Sequence, residues 1–136
     1  MVRIIMGLKG AGKTKQLIEL VNKACEEEQG DVVCIEKASK FRYDIPHKVR
    51  LIDASQVGFD GYDFLRGYIC GLNSANYDIT HIFIDSVLRI ISQDFDERLV
   101  AFVEWCEEFG KKEDVKFTIT VSADIDLAPD AIKKYF

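Results

Sequence analysis

The chain has 136 residues, of which 48% are apolar and 30% charged, with only two prolines. This composition predicts one globular domain over residues 1–136 and excludes a disordered chain. Eighteen basic residues against 23 acidic ones give a net charge of −5, which is opposite to the basic surface that duplex nucleic acid and anionic lipid attract. No apolar run is long enough for a membrane span, and no secretory signal is visible. We therefore expect a cytoplasmic protein with no membrane or nucleic-acid partner.

Short apolar runs alternate with longer amphipathic runs along the chain, which is typical of β-α-β units around a parallel sheet. The short runs predict five strands, at residues 2–6, 32–35, 49–52, 82–84 and 116–121. The longer runs predict helices at residues 13–28, 61–72 and 94–109, and a closing helix that begins near Pro129. Asp94 and Glu97 stand at capping-box spacing, so they are expected to begin the third helix.

The cysteines and histidines do not form a metal-ligand pattern. No C-x-x-C pair occurs, and no histidine stands at ligand spacing beside a cysteine, so zinc is not expected. His47 follows Pro46 in a predicted turn and His81 precedes an apolar strand, and the sequence reveals a partner for neither. Because each lies within an apolar stretch, four cysteines are predicted to be buried thiols: Cys25, Cys34, Cys70 and Cys106.

A complete match to G-x-x-x-x-G-K-[ST], the Walker A phosphate loop, follows the first predicted strand. Glycine lets the loop backbone turn its N–H groups toward phosphates, and the following helix adds its positive N-terminal end. Lys13 is expected to reach the β- and γ-phosphates as the catalytic lysine, and the Thr14 hydroxyl to ligate Mg²⁺. The predicted nucleotide-binding residues are Gly7, Leu8, Lys9, Gly10, Ala11, Gly12, Lys13 and Thr14.

Lys9 stands inside this loop, one position beyond the second signature lysine of the partitioning and division-site ATPases. Leu8 occupies that signature position here. We therefore interpret Lys9 as a solvent-facing lysine that helps to attract an anion.

A second strand pattern supplies the carboxylate that a phosphate loop needs to hold its metal through water. Residues 80–85 (THIFID) form an apolar strand that ends in Asp85, which is the Walker B pattern. Thr14 and Asp85 are the predicted Mg²⁺ residues, and the predicted ligand is ATP or another nucleoside triphosphate. The two motifs predict an α/β fold of the P-loop NTPase type, with three α-β-α layers and a mainly parallel sheet of about five strands.

No catalytic base is evident after Asp85. Many hydrolytic P-loop proteins place a glutamate there, but Ser86 occupies the position. Ser122 and Asp124, at the exit of the last strand, are candidates for contact with nucleotide or water. Three acidic residues follow within a short distance of Ser86: Asp94, Asp96 and Glu97. Asp94 and Glu97 are better explained as residues that begin a helix.

These residues resemble those of thymidine-kinase-like P-loop proteins. The resemblance includes residues 12–18, a second strand that leads to residues 40–44, residues 83–85 and a closing strand at residues 117–124. It implies a P-loop fold and a nucleotide ligand. Those kinases, however, carry a glutamate after the Walker B aspartate, a cysteine-ligated zinc and a C-terminal lasso, none of which matches here. The chain also resembles small stand-alone bacterial P-loop proteins of unassigned function, which are commonly described only as ATP-binding.

Three functions are compatible with these motifs. The first is a nucleotide-dependent binding module or switch, in which occupancy of the loop alters a surface that another protein reads. The second is an NTPase that is slow or that is activated by a partner, and the third is a small-molecule kinase with an acceptor pocket from residues 37–60 or the helix after them. Arginines that could act in trans on self-association are Arg42, Arg66, Arg89 and Arg98.

The lack of a guanine-binding motif and the short length of the chain reduce the choice among these functions. No N-K-x-D stretch of the kind that P-loop GTPases use for guanine occurs, which favours ATP. The 136 residues leave little room for an acceptor pocket, a lid and an activating arginine together. We therefore expect a protein partner, or a second copy of the chain, to complete the site or to read its occupancy.

Overall fold

Five parallel strands form the centre of the fold in the computed structural model, which describes residues 1–37 and 41–136. All five predicted strands are confirmed, with ends that shift by at most three residues. Across the sheet the order is β1-β5-β4-β2-β3, and every neighbouring pair is parallel. In chain order the strands are β1 (Val2–Gly7), β2 (Asp31–Glu36), β3 (Arg50–Asp53), β4 (Ile79–Ile84) and β5 (Lys116–Ser122).

The predicted helices are confirmed, and two short ones join them. The short helices α2 and α4 have four and five residues, which is too few for a 3.6-residue apolar period to show in the sequence. No helix within residues 1–37 and 41–136 is both long and apolar enough to cross a membrane. The helices are α1 (Lys13–Glu27), α2 (Ala54–Val57), α3 (Gly61–Ala75), α4 (Val87–Ile91), α5 (Glu97–Glu113) and α6 (Asp130–Lys133), with a 3-10 turn at Ile125–Leu127.

Apolar side chains cover both faces of the sheet. Phe83 of β4 belongs to the core cluster that contains Leu17 of α1, whereas Ile84 belongs to the cluster of Leu65 in α3 and Leu99 in α5. Successive strand residues point to opposite faces, so β4 is buried on both sides, as strands of parallel sheets are. The three-layer α-β-α fold class is therefore confirmed.

The strand order decides which residues meet at one edge of the sheet. β5 lies between β1 and β4, and the last residues of β1 and β5, Gly7 and Ser122, are in register. Because parallel strands end at the same edge, the residue after β4, Asp85, and the last residue of β2, Glu36, lie along that edge as well. The carboxyl edge thus gathers residues that are far apart in the chain.

The start of α5 differs from the prediction. The helix begins at Glu97 and its N-cap is Asp96, whose Oδ1 accepts a hydrogen bond from the Arg98 backbone N–H at 2.9 Å. The Arg98 guanidinium also donates to both oxygens of Asp96. The capping box from Asp94 is therefore wrong, because the aspartate two residues later satisfies the first turn and gains an arginine partner.

Three of the four cysteines are buried as predicted, and Cys70 is exposed. Its helix, α3, directs Leu65, Ile69 and Asn73 inward at spacings of four residues. Cys70 follows Ile69 by one residue and is rotated by about 100° from that stripe, so it points to solvent.

His81 has partners that the sequence did not reveal. Its Nδ1 lies 2.8 Å from Glu28 Oε2 and its Nε2 lies 2.8 Å from Thr118 Oγ1, while the ring stacks on Phe83 at 4.0 Å. A carboxylate can only accept, so Nδ1 donates to Glu28 and the neutral ring accepts the Thr118 hydroxyl proton. Burial lowers the pKa of His81 below its ordinary value, against the opposing effect of Glu28.

This environment predicts a pH-dependent stability. Because the pKa of His81 is lower in the folded state, the stability is fully present above about pH 6.5 and declines as the unfolded chain takes up its proton at lower pH. The free energy of unfolding is expected to fall by as much as about 1.4 kcal/mol per pH unit below that point from this group. Urea unfolding at pH 7.5, 6.0 and 5.0 measures how steeply the free energy of unfolding changes with pH. His81→Gln should make this change smaller, whereas His47→Gln, at an exposed position, is the control that should leave it as in wild type. Equal slopes in wild type and His81→Gln would contradict the assignment.

Candidate nucleotide-binding site

The loop between β1 and α1 needs its glycines for backbone reasons. Gly10 and Gly12 have positive φ angles of 89° and 83°, a region that costs other residues about 1–2 kcal/mol. Gly12 is the N-cap of α1 in the left-handed conformation. A Cβ on Gly7 would approach the Ala11 Cβ to 3.1 Å. The loop therefore wraps tightly in front of the N-terminus of α1, where N–H groups bind anions.

Lys13 turns back into this loop. It is 9% exposed, and its Nζ donates a hydrogen bond to the Leu8 carbonyl oxygen at 2.9 Å. Thr14 follows in the first turn of α1, and its side chain is exposed. A cation and a hydroxyl are thus held side by side where the positive end of the helix dipole adds to the potential.

One cavity of about 510 Å³ brings most of the predicted residues together. Asp85 reaches it from the end of β4 and is 3% exposed. Gly7, Ala11 and Leu8 do not line it, and Leu8 is 60% exposed to solvent. The lining residues are Lys9, Gly10, Gly12, Lys13, Thr14, Asp85, Ser86, Arg89 and Ser122.

The oxygen atoms in this cavity suit a hard divalent cation. The Thr14 hydroxyl and the Asp85 carboxylate are of the type that Mg²⁺ takes together with water and phosphate oxygens. Lys13 and Lys9 supply positive charge on the same wall. The donor set therefore fits a magnesium-bound phosphate chain.

Three polar residues form a row across the sheet beside the cavity. Ile35 is in register with Ile84, and Ile84 with Ile119, so one residue further along each strand Glu36, Asp85 and Thr120 follow one another across β2, β4 and β5. Glu36 and Thr120 are completely buried. Neighbouring strands are about 4.8 Å apart, which places both residues next to Asp85.

Glu36 is an acidic residue next to Asp85, buried beside the cavity, that the sequence reasoning missed. Its Oε1 accepts a hydrogen bond from the Phe41 backbone N–H at 3.1 Å. The signal was present, because Glu36 directly follows an apolar strand just as Asp85 does. Strand order, which places β2 beside β4, was needed to distinguish it from an ordinary turn residue.

The segment after Glu36 carried part of the kinase-like resemblance. Lys40, within residues 38–40, lies outside the described residues. Phe41 is buried, whereas Tyr43 is 87% exposed and the Arg42 guanidinium lies 5.3 Å from its ring centre. Arg42 and Tyr43 thus contact each other at the surface, whereas Phe41 packs in the core.

Arg89 lies on the wall of the cavity within its own chain. It was one of four arginines considered for action in trans, and the other three lie elsewhere. Arg42 lies beside Tyr43, Arg66 pairs with Asp63 at 2.9 Å, and Arg98 pairs with Asp96 at 2.6 Å. An arginine for the phosphate chain is thus available in cis.

A second cavity of about 250 Å³ adjoins the first and shares Ser86, Arg89 and Ser122 with it. Its further walls come from Leu88 of α4 and from Gln93, Asp94 and Phe95 of the loop between α4 and α5, and none of the described residues between 37 and 60 contributes to them. Asp124 does not line either cavity, because its carboxylate caps the 3-10 turn through the Asp126 N–H at 3.0 Å.

The fold and the loop together define a class: the chain has the fold of a P-loop NTPase domain. A similar solved structure is a KaiC-like protein from the hyperthermophilic archaeon Pyrococcus horikoshii OT3, with a TM-score of 0.65 and 18% identity. Another is the flagellar accessory protein FlaH from Methanocaldococcus jannaschii, with a TM-score of 0.60 and 16% identity.

These likenesses cover 98% of this chain but only 66% and 65% of the two neighbours. The chain therefore spans about two thirds of their length, and at such identities the likeness shows the fold alone. No family model matches the chain, and no curated protein matches it in sequence.

The loop geometry predicts opposite effects for two glycine-to-alanine changes. Gly12→Ala is expected to lower the free energy of unfolding by about 1–2 kcal/mol, because alanine must adopt a positive φ there. Gly67→Ala should raise it by about 0.5–1 kcal/mol, since Gly67 lies within α3 with open space around its Cβ position. Urea-unfolding midpoints measure both changes. A Gly12→Ala variant as stable as wild type would be inconsistent with the loop conformation.

Proposed function

We propose that the chain, acting as a single domain over residues 1–136, binds a nucleoside triphosphate with Mg²⁺ and serves as a nucleotide-dependent binding module. The supporting observation is that one cavity joins Lys13, Thr14 and Asp85 at the N-terminus of α1. Lys13 binds the β- and γ-phosphate oxygens, and the loop N–H groups surround the chain of phosphates. Thr14 and Asp85 hold the metal, which neutralises phosphate charge when it is bound. ATP is the proposed nucleotide.

The proposed partner is another protein or a second copy of the chain. Support comes from large apolar side chains that are exposed near the loop: Leu8 is 60%, Ile125 48% and Leu127 66% exposed. The Ala123 N–H donates to the Gly7 carbonyl oxygen at 3.2 Å, so the segment that carries Ile125 and Leu127 is tied to the start of the phosphate loop. A change in the loop on nucleotide binding would be passed to this segment through that hydrogen bond.

The proposed binding is tested by removing the positive charge of Lys13. Lys13→Ala is expected to lower the affinity for ATP at least tenfold, because a charge-assisted hydrogen bond to phosphate contributes about 1.5–3 kcal/mol. Isothermal titration with ATP and with GTP, each with and without Mg²⁺, measures the affinities. Lys15→Ala is the matched control, since Lys15 is an exposed lysine two residues after Lys13 on α1 and does not line the cavity. Absence of wild-type binding at millimolar nucleotide would refute the proposal.

Hydrolysis of the bound nucleotide is a second candidate function, and Glu36 and Arg89 favour it. Glu36 lies beside Asp85 at the carboxyl edge; it is buried and does not line the cavity, so it must turn toward the cavity to accept a proton from water. In this reaction the water oxygen forms a bond to the γ-phosphorus, the bond to the diphosphate breaks, and the water proton passes to Glu36. Arg89, on the cavity wall, stabilises the charge that develops on the phosphate.

Hydrolysis is tested by removing the base while keeping its shape. Glu36→Gln is expected to reduce phosphate release at least about 100-fold, the contribution typical of a general base, with ATP affinity unchanged within threefold. Glu26→Gln, on the exposed side of α1, is the matched control. The wild-type rate per molecule should not depend on protein concentration, because Arg89 acts in cis. Equal phosphate release by wild type and Glu36→Gln would exclude Glu36 as the base.

A further inference from the structure

Thr120 is a hydroxyl-bearing residue in the middle of a buried strand. It is fully inaccessible to solvent and lies beside Asp85 in the polar row across β2, β4 and β5. A buried hydroxyl needs hydrogen-bond partners, since leaving it without any is unfavourable. Thr120 has two, and both belong to the same turn after β4: the backbone of Ser86 and the side chain of Asp85.

The directions of these two hydrogen bonds follow from the chemistry of the groups. Thr120 Oγ1 lies 2.7 Å from the Ser86 backbone nitrogen and 2.9 Å from Asp85 Oδ1. The backbone N–H can only donate, so the hydroxyl accepts there. The single hydroxyl proton is then directed to Asp85 Oδ1, and this restrains the position of that carboxylate oxygen.

The backbone of Ser86 is adapted to this arrangement. Its φ of 54° and ψ of 58° are left-handed values that serine rarely adopts. The Ser86 N–H donates to Thr120 of β5, and Ser86 is the N-cap of α4, on which Arg89 reaches the cavity wall. One hydroxyl therefore holds both the acid before the turn and the start of the helix after it.

We propose that Thr120 is a positioning residue for magnesium: it acts through Asp85 and orients the carboxylate toward the metal of a bound nucleotide. The inference rests on the proposed Mg²⁺-nucleotide binding. Thr120 does not line the cavity, whereas Asp85 and Ser86 do, so its effect passes through them. Residues that hold metal-binding carboxylates through hydrogen bonds typically change metal affinity 10- to 100-fold when they are replaced.

The test separates metal-dependent binding from nucleotide binding itself. A fluorescent ATP analogue is titrated into the full chain with Mg²⁺ and, separately, with EDTA. The readout is the affinity with Mg²⁺ divided by the affinity in EDTA. Thr120→Val, which replaces the hydroxyl with a methyl group of similar size, is expected to lower this ratio at least about tenfold, while affinity in EDTA stays within twofold. Thr120→Ser, which keeps the hydroxyl, should restore the ratio.

Thr118→Val is the matched control, because Thr118 is a buried threonine two residues earlier on the same face of β5 whose hydroxyl contacts His81 instead. It should leave the ratio unchanged. If Thr120→Val does not fold, as judged by circular dichroism, Thr120→Cys provides the same comparison with a much weaker hydrogen-bonding group.

The outcomes distinguish the two levels of the proposal. A lower affinity ratio in Thr120→Val, together with a wild-type ratio in Thr120→Ser, supports the inference. A wild-type ratio that Thr120→Val leaves intact overturns the role of Thr120, although Mg²⁺-nucleotide binding stands. Wild-type protein that binds no nucleotide, or that binds equally well with Mg²⁺ and EDTA, overturns the proposed function and the inference together.

Discussion

Parallel pairing of β5 between β1 and β4 is the constraint on which the site depends. It fixes the carboxyl ends of the strands at one edge, so that the loop after β1, the acid after β4 and the serine that ends β5 line one cavity. Because Gly7 is in register with Ser122, and Ile84 with Ile119, a shift of β5 by one residue would turn Thr120 to the opposite face of the sheet. The hydrogen bond from Thr120 to Asp85 and the place of Ser122 on the cavity wall would then both be lost.

The charges of the site follow from this arrangement. Positive potential comes from Lys13 and the N-terminus of α1, whereas the carboxylates of Asp85 and Glu36 come from the neighbouring strands. In the structure these groups are satisfied inside the protein: Lys13 by the Leu8 carbonyl, Asp85 by Thr120, and Glu36 by the Phe41 N–H. The hydrogen bond from Thr120 holds Asp85 in place before a ligand binds, which lowers the reorganisation that binding requires, whereas Lys13 and Glu36 must exchange their internal partners for ligand or water.

How much the sequence could predict depends on the distance between interacting residues. The phosphate loop is a local pattern, so its residues and the strand and helix around it could be identified directly. His81 contacts Glu28, 53 positions away in the sequence, and Thr118, 37 positions away. Thr120 contacts Asp85 across 35 positions. Such contacts can be predicted only when the strand order is known. The placement of Glu36 beside Asp85, and of Arg89 on the cavity wall of its own chain, likewise depends on the strand order. The resemblance to thymidine-kinase-like proteins stays a prediction, since the comparisons bear on the P-loop fold in general.

The hydrogen bond between Glu36 and Phe41 connects the two proposed functions. Glu36 Oε1 is engaged by the Phe41 N–H at 3.1 Å, and Phe41 is buried in the cluster that packs against α1, the helix that carries Lys13 and Thr14. A catalytic carboxylate must turn toward water at the γ-phosphate, which competes with this hydrogen bond. Phe41 belongs to the same core cluster as Leu17 and Val21 of α1, so a movement of that helix on nucleotide binding would act on the packing around Phe41. In the proposed scheme, the switch and the hydrolytic reaction would therefore both act on the contact between Glu36 and Phe41.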